Sequence, residues 1–364
     1  MPVKIKDSIY KIHRNYIKRD INDDNYIQLD RNESAFGYSK NVVKAIEEAQ
    51  KRIARYPDIY STSLRKKLAG IHNVSSENIV VGNGSFELIT AVAQLYLNPG
   101  DEAITVSPTF EWYKTASLLA NGQVVEVPLD KHRISLSGIK NSITERTRII
   151  WLCNPNNPTG DVLPETEILQ FTESIPPHIL LVIDEAYIDF IREIDSFDSV
   201  ELVKRHPNVI LLRTFSKVYG LAALRVGYAI GHESVIKVLG SFKTPMSANH
   251  IAVEAAVASL NDKDFHAFVI EQTGKQLDYF YREFDRLGFP YIRSNANFVL
   301  VNVLLDSEEI VSKLKEKHIL VRGGKEFGYP EWLRITIGTE QENHTLINEL
   351  SRIYQEKSLS VCSA

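Results

Sequence analysis

Between residues 75 and 231 the chain repeats one pattern, a short run rich in Val, Ile and Leu followed by a stretch with helical spacing. The runs at 78–82, 102–106, 124–127, 148–153, 179–184, 209–214 and 226–230 predict strands. Several are apolar without alternation, as expected where helices cover both faces of a sheet. Strand–helix alternation of this kind predicts an α/β domain with a mostly parallel sheet. The strands ending at Gly82, Cys153, Asp184 and Thr214 each enter a polar or glycine-rich turn at once. Ligands of such sheets sit beyond the carboxyl ends of the strands, so these turns are expected to share one crevice.

From about residue 250 the pattern changes. Helices are expected at 251–260 and 264–287, an apolar run at 298–303, and a helix at 307–317. Strands at 319–322 and 332–337 and a final helix from 341 complete an α+β layout. The chain is accordingly divided into an arm (1–30), a large domain (31–245) and a small carboxyl-terminal domain (246–364).

Composition narrows the classes. The 364 residues are 44% hydrophobic and 24% charged, the balance of a soluble globular protein. A formal charge of −4 offers no basic field to nucleic acid. No apolar run approaches the ~20 residues that span a bilayer, and the amino terminus lacks the apolar core of a signal peptide. The two cysteines, Cys153 and Cys362, are too few for a disulfide framework or a zinc site. A cytoplasmic protein without metal, membrane or nucleic-acid partner is expected.

Candidate chemistry centres on Thr214-Phe215-Ser216-Lys217, with Arg225 further on. A lysine is costly near a protein interior unless its amine is neutral, paired or used, and one use is a Schiff base with a carbonyl cofactor. The hydroxyls of Thr214 and Ser216 and the guanidinium of Arg225 would hold a phosphate beside it, and that set suggests pyridoxal phosphate. Alone, a Ser-Lys pair is a solvated loop. Asp184, ending an apolar strand before Glu185-Ala186-Tyr187, needs a cation or a donor, and a protonated pyridine nitrogen would serve; a helix cap is the plain alternative. Gly82-Asn83-Gly84-Ser85 presents free N–H groups at a helix start. Asn154-Pro155-Asn156-Asn157-Pro158-Thr159-Gly160 is a rigid turn that offers amides at a strand end. Phe110 either stacks on a flat ring or fills the core. Arg334, inside an apolar strand, is either a surface residue or a bidentate clamp for a carboxylate.

Taken in this order, these segments resemble a fold-type I pyridoxal-phosphate-dependent aminotransferase, most closely the histidinol-phosphate aminotransferase family. The similarity runs from Leu29-Asp30-Arg31-Asn32-Glu33 to Leu333-Arg334-Ile335-Thr336-Ile337-Gly338, and Arg55-Tyr56-Pro57-Asp58 is among its motifs. The resemblance implies that Lys217 forms the Schiff base, Asp184 pairs with the pyridine nitrogen, and Asn157 and Tyr187 bond the phenolic oxygen. It places Phe110 against the ring. It puts Gly84, Ser85, Thr214, Ser216 and Arg225 around the phosphate, joined by Tyr56 from a neighbouring subunit. Arg334, with Arg322 and Asn157, would bind the substrate. A homodimer with shared sites is implied, as are an amino donor and a 2-oxo acid as substrates. Lys217 is expected to have its pKa lowered by nearby cations.

Departures from the family pattern fall on the substrate side. Ser34 follows Asn32-Glu33 where a proline is usual, Phe86 stands where an acidic residue is common, and Gly323-Gly324 follows Arg322. A decarboxylase, cyclase or oxidase of an amino acid would reuse the same lysine and aspartate. A non-catalytic sensor with this fold would carry a DNA-binding domain of about 60 more residues, for which the chain has no basic helix.

Overall fold

The structure, a computed structural model, describes residues 10, 12, 25–192 and 198–362. Most of the expected arm, residues 1–9, 11 and 13–24, therefore lies outside the described residues. The chain begins with β1 (Ile27–Leu29), α1 (Lys40–Ala49) and α2 (Thr62–His72). It then alternates through β2 (Ile79–Gly82), α3 (Gly84–Tyr96), β3 (Glu102–Ser107), α4 (Trp112–Leu119), β4 (Gln123–Pro128) and α5 (Leu136–Asn141). Next come β5 (Thr147–Cys153), α6 (Glu165–Ser174), β6 (Leu180–Asp184), α7 (Val200–Arg205), β7 (Val209–Thr214) and β8 (Gly227–Gly231). These strands form a seven-stranded sheet in the order β2-β8-β7-β6-β5-β3-β4, in which only β8 runs antiparallel to its neighbours.

Every residue of β6 and β8 is buried. Side-chain alternation therefore sorts them onto two covered faces rather than into core and solvent. Leu181 and Ile183 join Val81, Ile104, Ile150, Leu152 and Leu211 on the face covered by α2 and α6. Leu180 and Val182 join Trp151, Cys153, Ile210 and Leu212 on the face covered by α3 and α4. Asp184 has the parity of Leu180 and Val182, so the end of β6 turns its carboxylate toward α4.

Beyond β8 lie α8 (Glu233–Phe242), α9 (His250–Ser259) and α10 (Lys263–Leu287). The long α10 starts at Asp262, whose carboxylate accepts from the Phe265 amide, and stops at Gly288 in the left-handed region at φ 71°. Then follow β9 (Tyr291–Ile292), β10 (Phe298–Asn302), α11 (Ser307–Glu316), β11 (Ile319–Gly323), β12 (Trp332–Thr336) and α12 (Glu340–Cys362). They build a second sheet, ordered β1-β11-β12-β10-β9, with its own core of Leu277, Phe280, Phe284, Val299, Val301, Leu333, Ile335 and Leu346.

Two features differ from the sequence expectation. Residues 27–29, within the expected arm, pair in parallel with β11 as an edge strand of the second sheet, Ile27 opposite Ile319. Helix α9, within residues 246–364, puts Ala252, Val253, Ala255 and Ala256 into the core of the seven-stranded sheet. That helix is apolar nearly all round, so its sequence carries no direction of packing.

Candidate active site

The carboxyl ends of β2, β5, β6 and β7 do meet, around a cavity of about 500 Å³. Lys217, three residues past β7, projects into it and donates from Nζ to the backbone carbonyls of Asn32 (2.9 Å) and Arg31 (3.2 Å). No carboxylate pairs with it among the described residues. Burial first, and then the Arg334 guanidinium, lower its pKa to about 7. The expectation named cations as the cause; desolvation is the larger one, because the amine sits among buried groups with only neutral carbonyls in contact.

Asp184 accepts from the Tyr113 hydroxyl (2.8 Å) and from the Ala186 amide (3.1 Å). Burial outweighs these donors and raises its carboxyl to about 6. Tyr113 is itself fixed, stacked on Trp151 with ring centroids 5.4 Å apart. The Trp151 indole donates to Ser117 Oγ, which donates to the Tyr113 carbonyl. Beside this pair a buried bridge joins Glu185 to Arg213 at 2.8 Å. Asp184 and Thr214, their chain neighbours, are thus tied between two adjacent strands. Cys153, with burial raising its thiol to about 12, is a core residue at the cavity wall.

At the start of α3, Gly84 has φ +71°, and a Cβ there would lie 2.5 Å from the Arg225 guanidinium. Arg225 is also left-handed, at φ 55°, and donates to the Ala222 carbonyl at 2.8 Å. Such a conformation in a non-glycine residue marks a backbone held by its surroundings. Thr214 Oγ1 donates to Ser216 Oγ (3.0 Å) and accepts from the Ser216 amide (3.1 Å). Ser85, Thr214, Ser216 and Arg225 line the cavity together. Free amides at a helix start, two hydroxyls and one guanidinium form a cradle for a dianion.

Phe110 lines the same cavity, edge-on to Tyr113 and to Phe86 at 5.4 and 5.2 Å. Tyr187 accepts from Asn32 Nδ2 at 3.0 Å. Asn157 accepts from Arg334 Nη1 at 2.7 Å, which leaves its amide nitrogen as the donor. Arg334 also donates to the Asp30 carbonyl at 2.7 Å, and burial lowers its pKa to about 10. Arg322 lies across the ladder from Arg334 and lines an adjoining cavity of about 640 Å³.

The structure thus brings Lys217, Asp184, Tyr187, Asn157, Phe110, Gly84, Ser85, Thr214, Ser216 and Arg225 together, with Arg334 and Arg322 next to them. Tyr56 it does not. That ring is 87% exposed, against a separate hollow lined by Arg55, Asp58, Ser61, His250 and Glu254. Sequence reasoning missed Tyr113 and Asn32. A tyrosine three positions after Phe110 was the signal for the first; for the second it was an asparagine just after an apolar segment.

A buried carboxylate, an amine with its pKa lowered to about 7, and two hydroxyls and a guanidinium at a helix start, all lining one cavity, fit pyridoxal phosphate. The fold and site define a pyridoxal-phosphate-dependent enzyme of fold type I. The model of the family described as aminotransferase class I and II matches residues 24–350. The histidinol-phosphate aminotransferase of Caldicellulosiruptor saccharolyticus is 39% identical over 93% of this chain and 94% of its own length. That of Carboxydothermus hydrogenoformans, numbered 2, is 38% identical over 93% of this chain and 94% of its own. A crystal structure of the Sinorhizobium meliloti histidinol-phosphate aminotransferase in complex with pyridoxal 5′-phosphate is 27% identical. It superposes with a TM-score of 0.87, over 91% of each chain. The chain belongs to the aminotransferase class I and II family and is a pyridoxal-phosphate-dependent aminotransferase.

Proposed function

We infer that this aminotransferase takes its amino group from histidinol phosphate, passes it to a 2-oxo acid, and so serves histidine biosynthesis. The curated relatives carry that name over nearly their whole length, which supports the donor. The observation that carries the reading is that Lys217 lines both the cavity of Asp184 and the adjoining cavity of Arg334, the first suited to cofactor and the second to substrate.

Bound pyridoxal phosphate supplies an electron sink for the pair released when a bond to the substrate α-carbon breaks. Asp184 holds negative charge opposite the ring nitrogen, and Tyr113 and the Ala186 amide hold Asp184. Asn157 and Tyr187 would donate to the phenolic oxygen, Phe110 would cover the ring, and Gly84, Ser85, Thr214, Ser216 and Arg225 would hold the phosphate. Lys217 would hold the group through its amine, and its Nζ, half-neutral near pH 7, would be the base for the proton on the substrate α-carbon. Arg334 and Asn157 orient the substrate anion, with Arg322 beside them.

Tyr56 reaches the phosphate of a second copy, in a homodimer with shared sites; its exposure and the polar hollow around it support this. The protein acts in the cytoplasm, a reading in keeping with the absence, among the described residues, of any helix long and apolar enough to cross a membrane. The test is a panel of amino donors offered to the holoenzyme with 2-oxoglutarate: histidinol phosphate, arginine and aromatic amino acids. Each product is identified as oxo compound, decarboxylated amine or ring-closed compound. Histidinol phosphate turned over no faster than the free amino acids would remove the donor assignment, and a decarboxylated product would remove transfer itself.

A further inference from the structure

The two arginines of the substrate side have different surroundings. Arg322 and Arg334 stand directly opposite each other on β11 and β12, and both line the adjoining cavity with Asn157, Tyr187 and Lys217. Arg334 donates only to neutral oxygens, lies 5.7 and 5.5 Å from the ring centres of Phe298 and Phe327, and keeps a buried Nε with no partner among the described residues. Its charge stays available to an incoming anion. Arg322 is instead held by Glu326 through two parallel contacts, Nε on Oε1 and Nη2 on Oε2, the latter 2.6 Å.

Glu326 and Phe327 come from one short 3₁₀ turn, Lys325–Phe327, directly after Gly323-Gly324. The turn is seated by the Gly324 amide, which donates to the Trp332 carbonyl at 2.6 Å, and a Cβ at Gly324 would meet that same oxygen at 2.6 Å. A single turn therefore lays an aromatic face on one arginine and a carboxylate on the other.

We propose that Glu326 is a specificity-determining residue: by occupying Arg322 it takes one of the two facing arginines out of service, and so sets how well doubly charged anionic substrates compete with singly charged ones. The proposal deepens, and rests on, the aminotransferase reading of the same pocket. Glu326 neutralises the Arg322 charge and fills the Nε–Nη2 edge of its guanidinium bidentately. A substrate with a single anionic group is served by Arg334 alone. A phosphate monoester or a dicarboxylate gains the second of the two facing arginines only when Glu326 gives way. The side chains of Arg322 and Glu326 are 24% and 20% exposed, so the carboxylate has water to turn into and the exchange is cheap enough to occur during binding.

The test uses the holoenzyme with two ligands that do not react, succinate as dianion and butyrate as monoanion, and reads dissociation constants from the change in cofactor absorbance. Glu326→Gln keeps the side chain's size and removes its charge. It is expected to tighten succinate about tenfold, the scale of one charge-assisted hydrogen-bonded contact, and to leave butyrate within about twofold. In an Arg322→Ala background the same change should have little effect on succinate. Unchanged succinate affinity in Glu326→Gln would overturn the proposal. So would an equal gain for butyrate, or a gain that persists without Arg322. Because binding is read without turnover, these outcomes stand apart from a failure of the aminotransferase reading, which would appear as no amino transfer from any donor by the unaltered enzyme.

Discussion

Replacing Asp184 by Asn should make the cofactor-free protein more stable while removing its chemistry. The carboxyl is raised from an ordinary 3.8 to about 6, chiefly by burial. That is roughly two pKa units, and at 1.36 kcal/mol per unit the ionised form costs the folded chain up to about 3 kcal/mol. A raised acid pKa means the folded state binds protons more tightly than the unfolded one. The cost is therefore absent below pH 3.8, accumulates as pH rises from 3.8 to about 6, and is full above that. Asparagine keeps the shape, still accepts from the Ala186 amide and can donate to the Tyr113 oxygen, yet carries no charge to desolvate. Urea unfolding of apoprotein at pH 7.5 should show Asp184→Asn more stable, by no more than about 3 kcal/mol. The gap should close toward pH 4. The holoenzyme should lose about 100-fold or more in kcat, as expected when a preorganised charge opposite developing charge is removed. An Asp184→Asn apoprotein no more stable than the parent at pH 7.5, or a gap indifferent to pH, would refute the account of Asp184 as a carboxylate held ionised at a cost.

Further outcomes follow from the same geometry. In apoprotein the Lys217 amine should react with an acylating reagent half-maximally near pH 7, since burial lowers its pKa to about 7; half-reaction near pH 10 would remove its role as a base at neutrality. Gly84→Ala should fold but bind pyridoxal phosphate about 5- to 30-fold more weakly, from ~1–2 kcal/mol of left-handed strain and displacement of Arg225, as read by fluorescence titration. Tyr56→Ala and Lys217→Ala homodimers should both be inactive. Mixed under subunit exchange, they should recover activity, because one site of each hybrid is intact; no recovery would deny a shared site.

The sheet was legible because its strands are short, built on apolar runs and bounded by glycine or polar residues. β7 begins and ends where its pattern does, at Val209 and Thr214. β1 and β9 were missed for a physical reason: with three and two residues they carry no periodicity, and only their partners across the ladder define them. That Lys217, Asp184, Ser85 and Thr214 share one cavity could be read because each stands at or within three residues of a strand end. Tyr113 could not, since its partnership with Asp184 depends on which face the last residue of β6 presents. The pairing of Glu326 with Arg322 is likewise a property of a turn's path.

The segment around Asn32 joins parts that are far apart in the chain. Its amide donates to Thr336 Oγ1 at 2.8 Å, its carbonyl accepts from both Lys217 and Asn297, and the neighbouring Asp30 carbonyl accepts from Arg334. The wall around Arg334 is thus a seam between the first described strand and the last, across 304 residues of sequence. During synthesis, Lys217, Asp184 and the phosphate cradle are all made well before β12 emerges. The cavity around Lys217 is therefore closed only once β12 is in place, and a chain cut short of Trp332 would keep Lys217, Asp184, Thr214, Ser216 and Arg225 but lose the Arg334 and Thr336 contacts that tie down the segment after β1.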